Sequence, residues 1–79
     1  MDSKVLQRLR WRSRRGLLEL DLVFDRFWAG PGARMTEEEA AALEALLRLP
    51  DNDLLDLVMG RAGAPEPALR GVLEKLRAA

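Results

Sequence analysis

The chain has 79 residues with thirteen basic and thirteen acidic side chains, no cysteine and no histidine. A chain this short makes one domain that buries only about 60% of its unfolded surface, and without cysteine neither a disulfide framework nor a thiolate metal site can reinforce it. The lack of histidine removes the commonest transition-metal ligand and the usual general base near neutral pH, which argues against catalysis by this chain.

The zero net charge conceals a segregation. Residues 1–16 carry Lys4, Arg8, Arg10, Arg12, Arg14 and Arg15 against Asp2, a local charge of +5, and residues 17–79 carry the compensating −5. Such a basic arm points to an anionic partner: nucleic acid, a membrane surface or an acidic protein face. No apolar run approaches the roughly 20 residues of a membrane span. The opening Met1-Asp2-Ser3-Lys4 lacks the apolar core of a signal peptide, so a soluble cytoplasmic protein is expected.

A first helix is predicted over residues 3–14, free of Gly and Pro, with Ser3 as its N-cap. Val5, Leu6 and Leu9 share a face directed at a core. At 100° per residue Trp11 lies nearly opposite, among Gln7, Arg8 and Arg14. Two readings apply to it. Trp11 packs against another helix under snorkelling arginines, or it is an exposed aromatic in a basic surface, the composition most enriched at binding hot spots.

Arg14-Arg15-Gly16-Leu17-Leu18-Glu19-Leu20-Asp21 is where the chain departs most from a generic helical bundle. Gly16 can supply a positive φ and turn the backbone sharply between two helices. Arg14 and Arg15 suit the C-terminal end of the first helix, and Glu19 and Asp21 the N-terminal end of the second, each worth about 0.3–1 kcal/mol when exposed. The second helix spans 17–28 with a stripe of Leu17, Leu20, Phe24 and Phe27, edged by Val23 and Trp28. Its aromatics read as core. Leu18 and Leu22 fall on the outer side beside carboxylates, either as a protein-binding patch or as the contact for a third helix.

Two glycines around Pro31 end that helix. Thr36-Glu37-Glu38-Glu39 matches a capping box and opens a third helix over 37–49, with Leu43, Leu46 and Leu47 inward and alanines permitting close approach. After Pro50, Asp51 or Asn52 caps a fourth helix over 52–61 that is apolar most of the way round, so it is expected at the centre. Asp51 and Asp53 have too few companions to form a calcium site. Gly60 and Gly63 mark the next loop, Pro65 or Pro67 sits near the first turn of a last helix over 66–77, and Leu69, Val72, Leu73 and Leu76 make that helix amphipathic. The fold class is all-α, a compact single-domain bundle of about five short helices.

Arg14-Arg15-Gly16-x-x-Glu19-Leu20-Asp21, preceded by Trp11, resembles the signature of the succinate dehydrogenase assembly factors, the flavinylation factors. Asp51-x-Asp53-Leu54 leading to Val58-Met59 is similar to that family's second recurring segment. The resemblance implies a five-helix bundle that binds the flavoprotein subunit of succinate dehydrogenase, or in bacteria also that of fumarate reductase. It further implies that the factor promotes covalent attachment of FAD to a histidine of that partner. FAD is then the partner's cofactor, with no cofactor or metal held by this chain and no catalytic residue in it. Carried over by position, Arg15, Gly16 and Glu19 form the heart of the contact, with Arg14 and Asp21 beside them. Trp11 and Arg8 join them from the helical-wheel argument. A monomer is expected. The alternative is a small nucleic-acid-binding protein using the Arg-rich first helix; against it, the arginines are scattered around the helix and Glu19 and Asp21 would repel phosphates.

Overall fold

The computed structural model describes residues 3–63 and 66–79. Among them the chain forms five α-helices: α1 Ser3–Arg12, α2 Leu18–Ala29, α3 Glu37–Leu47, α4 Asp51–Val58 and α5 Arg70–Ala78. Short 3₁₀ turns, Pro31–Arg34 and Pro67–Leu69, lead into α3 and α5. The all-α class and the number of helices agree with the sequence reading, and the boundaries shift by a few residues. Helix α1 takes in Ser3 itself and stops at Arg12, so Arg14 belongs to the following turn. Pro67 opens the second 3₁₀ turn, and Pro65 lies outside the described residues.

The core follows the apolar periodicity. Leu20, Phe24 and Phe27 of α2 are buried, as are Leu43, Leu46 and Leu47 of α3, and Val72, Leu73 and Leu76 of α5. Phe24 and Phe27 meet edge to face with centroids 6.5 Å apart, and Phe27 meets Trp28 at 5.2 Å and 74°, the arrangement ring quadrupoles prefer. Ala40 and Ala42 are buried on α3. Val5 is a correction to the first-helix face: it is exposed, whereas Leu9 is buried and Leu6 half-buried.

Helix α5, not α4, holds the centre. It packs against α2, α3, α4 and the first 3₁₀ turn, whereas α4 buries Leu54, Leu57 and Val58 and leaves Met59 exposed beyond its end. Eight residues make little more than two turns, too few for apolar positions all round to find cover. The expected side-chain cap of α4 is also absent. Pro50 occupies the N-cap with no side-chain bond, and Asp51 is the first helical residue.

The Thr36 capping box forms as expected: Glu39 N–H donates to Thr36 Oγ1 at 3.1 Å and Thr36 N–H to Glu39 Oε1 at 3.0 Å. It is also tied to the centre of the bundle, because Lys75 of α5 sits 2.7 Å from Glu39 Oε2. The hydrogen bond from Lys75 and that from the Thr36 backbone hold the Glu39 carboxyl below its ordinary value of 4.5. Gly32 has a different task from breaking a helix. It is buried over the Phe27 ring, where a Cβ would stand 2.7 Å from one ring carbon and 2.9 Å from the Phe27 carbonyl oxygen.

Two measurements check this packing. Gly32→Ala should destabilise the fold by about 1–3 kcal/mol, as overpacking does, read as a lower denaturant midpoint at unchanged slope. Because the folded Glu39 pKa is depressed, the Glu39–Lys75 contribution is complete above the ordinary Glu range and is lost as pH falls through the depressed value. The stability difference between wild type and Lys75→Met should therefore shrink on acidification from pH 6 to below pH 4. A constant difference across that range would exclude the linkage.

Candidate functional site

The turn between α1 and α2 is built from its own backbone. Ser13 N–H bonds to Leu9 carbonyl at 3.0 Å and Arg14 N–H to Trp11 carbonyl at 3.3 Å, closing α1. Gly16 then adopts φ +76°, a left-handed conformation that favours glycine. A Cβ built on Gly16 meets nothing within 4 Å. Glycine is needed here for its φ alone, and the space beside it opens to solvent.

Arg15 points the other way. Its side chain is only 15% exposed and reaches the α3–α4 junction: Nε donates to Asp51 Oδ1 at 2.7 Å, Nη1 to Leu47 carbonyl at 2.7 Å and Nη2 to Leu49 carbonyl at 2.6 Å. The last carbonyls of a helix lack intrahelical donors, and a guanidinium presents a fixed fork of donors where an ammonium presents a point charge. Arg15 thus caps the C-terminal end of α3 and pairs with the carboxylate that opens α4. Its backbone N–H donates to Asp21 Oδ1 at 3.0 Å, so Asp21 holds the turn from the α2 side. Both residues were expected at a partner contact, and both are engaged within the chain.

The other motif positions face outward. Arg8, Arg14, Gly16 and Glu19 are exposed, and Trp11 is 75% exposed. No hydrogen bond or ion pair engages the side chains of Arg8, Arg14 or Glu19 among the described residues. The Trp11 alternative is thereby decided, since no helix covers it. Leu18, 71% exposed, and Leu22, 45% exposed, lie one turn apart on the outer face of α2. Of the expected residues, Arg14, Gly16 and Asp21 line a common groove of about 410 Å³ between α1 and α2. Arg8, Trp11, Arg15 and Glu19 do not line it.

That groove contains side chains the sequence did not single out for the site. Arg10 stands with Arg14 on the α1 side, and Asp25 with Asp21 on α2. Its inner surface includes Ser13, which is buried; its Oγ donates to Arg10 carbonyl at 2.6 Å and accepts from Trp28 Nε1 at 2.9 Å. Asp51 is the other omission. Its place in the second recurring segment was the available signal, and only the fold shows that this segment receives Arg15. Among the described residues no group of three or more carboxylates could hold a metal ion, and no helix is long and apolar enough to cross a membrane.

Comparison with known proteins places this geometry in context. The family described as flavinator of succinate dehydrogenase matches residues 7–79. The chain is similar to the FAD assembly factor SdhE of Ralstonia nicotianae, 47% identical over 75 residues that cover 90% of this chain and 79% of the relative. It is also similar to the SdhE proteins of Legionella pneumophila strain Lens, 39% identical over 98% of this chain and 96% of the relative, and of Methylococcus capsulatus, 41% identical over 90% and 86%. No solved structure gives a significant match.

Removing the Arg15 guanidinium strands two helix-end carbonyls. Arg15→Ala should cost about 2–3 kcal/mol and Arg15→Lys about 1–2 kcal/mol, because a lysine cannot serve three acceptors in this geometry. Asp51→Ala, at a half-exposed carboxylate, should cost about 1 kcal/mol or less. Urea unfolding of the three variants would establish the order, and an Arg15→Ala chain as stable as wild type would show that the junction does not need the clamp.

Proposed function

This chain belongs to the flavinator of succinate dehydrogenase family, and we propose that it acts as a non-catalytic assembly factor in the cytoplasm. In this reading it binds, as a monomer, the flavoprotein subunit of succinate dehydrogenase, and in a host that has one also that of fumarate reductase. FAD is attached to the partner, not to this chain. The observation that supports the reading best is the division within one motif: Arg15 and Asp21 fasten the turn from inside, while Gly16 opens to empty space and Glu19 carries an unpartnered charge beside it. A charge held on a fixed turn and already exposed loses little conformational freedom on docking, so more of its interaction energy appears as affinity.

The composition of the chain is compatible with such a role. A chain without histidine offers no histidyl attachment point for a flavin. Its contribution is to hold the immature flavoprotein in a geometry where the partner's own groups react, an effect of orientation. In the contact, Glu19 meets a basic group of the partner, Gly16 admits the partner's backbone, and Arg14, Arg8 and Trp11 supply the surrounding surface.

The test is capture of the purified flavoprotein subunit together with covalent flavin fluorescence on that subunit in a denaturing gel. Glu19→Ala, at an exposed side chain, should fold like wild type and lose roughly tenfold or more in capture. Gly16→Ala and Gly16→Arg share the cost of a positive φ, about 1 kcal/mol. Only Gly16→Arg should abolish capture and flavin attachment. Equal behaviour of the two Gly16 variants, or full activity of Glu19→Ala, would remove the turn from the contact.

A further inference from the structure

We infer that the groove between α1 and α2 receives a mixed-charge segment of the flavoprotein, with an acidic side chain set against Arg10 and Arg14 and a basic one against Asp25. The inference rests on the reading of this chain as a flavoprotein-binding factor and adds the groove to the exposed turn.

The groove has a rim of opposite charges that do not meet. Arg10 of α1 and Arg14 of the turn after it stand on one side, and Asp21 and Asp25 lie four residues apart on α2, about one helical turn. No ion pair joins the two rows among the described residues, although exposed arginines and carboxylates elsewhere in the chain pair readily, as Arg48 does with Glu44 at 3.2 Å and Arg61 with Asp56 at 3.1 Å. The floor and one end of the groove are bonded within the chain. Asp21 is fixed by the Arg15 N–H at 3.0 Å, and Ser13 ties the two helices together by accepting from Trp28 and donating to the Arg10 carbonyl.

The same bonds define what can be recognised. The Trp28 indole N–H and the Ser13 hydroxyl are already satisfied, so the inner surface offers a ligand packing area and little polar recognition. Selectivity falls to the rim. A polyanion such as nucleic acid would gain from Arg10 and Arg14 but meet the carboxylates of Asp21 and Asp25, and a polycation would meet the reverse. A segment carrying both signs satisfies both rows, and complementary charge patterns of this kind fix register and exclude wrong partners. Gly16 also lines the groove, so the segment would run on continuously from the contact at the turn.

The experiment measures binding of purified full-length chain to the purified flavoprotein subunit of succinate dehydrogenase, for wild type, Asp25→Lys, Arg10→Glu/Arg14→Glu and Glu19→Ala. Arg10, Arg14 and Asp25 are exposed, so the groove variants should retain the wild-type circular dichroism and melting temperature. Asp25→Asn and Arg14→Gln serve as neutral versions should a reversal disturb folding. The inference requires that each charge reversal weaken binding tenfold or more and each neutral version severalfold, and that wild-type affinity decline as salt is raised. If Glu19→Ala fails while every groove variant binds like wild type, the groove is not used and the turn contact stands. If wild type captures no flavoprotein, or retains duplex DNA instead, both the groove and the assembly-factor reading fall.

Discussion

The Arg15 side chain is the interaction on which the arrangement of this molecule turns. From the loop after α1 it crosses to the α3–α4 junction, where one guanidinium satisfies the carbonyls of Leu47 and Leu49 and the carboxylate of Asp51. Those carbonyls lie at and just beyond the end of α3, where a cation is favoured, and the carboxylate sits at the start of α4, where an anion is favoured, so the Arg15–Asp51 pair sets the matching charge at each helix end. Arg77 performs a related service for α4, donating from Nε and Nη2 to the Leu57 carbonyl at 3.0 and 2.6 Å. A small bundle without cysteine, and so without disulfides, gains from tying its short helices at their ends, where backbone groups would otherwise depend on water.

The clamp also divides one short motif into residues engaged within the chain and residues left exposed. With Arg15 directed inward and Asp21 holding the Arg15 N–H, the turn is fastened from both sides and Gly16 is fixed at φ +76° facing solvent. Arg14 and Glu19 flank it with charges that nothing in the described chain neutralises. A motif that reads as one contact surface is thus two layers, an inner one that sets geometry and an outer one that is exposed. Substitution in the first layer acts on stability and presentation together. Substitution of the exposed charges Arg14 and Glu19 in the second should leave the fold alone.

Charge is distributed in keeping with that division. The basic excess of residues 1–16 is not a uniform anionic-ligand surface. Arg15 is consumed internally, Arg12 lies 3.9 Å from Glu44, and Arg10 and Arg14 face the carboxylates of α2 across a groove. What remains outward is a mixed surface carrying an exposed tryptophan and two exposed leucines, a composition suited to a protein face more than to a phosphate backbone.

Apolar periodicity at i, i+3, i+4 and i+7 marked the buried residues of α2, α3 and α5 because a helix facing a core must place its large side chains on one stripe. The capping box at Thr36 and Glu39 was legible because its bonds are local. The Gly16 turn was legible because a positive φ selects glycine. What the amino-acid order could not convey was every decision made by contacts distant in sequence. Arg15 and Asp51 are thirty-six residues apart, and nothing in their spacing reveals that the two pair at the α3–α4 junction. Equally, Gly32 was a helix breaker in sequence and became a required close approach only when the Phe27 ring was laid against it. The order of residues determined how many helices form and, to within a few residues, where they lie and which positions turn apolar. Tertiary structure decided which helix lies at the centre and which charges of the motif are spent inside, because both depend on what the fold brings alongside.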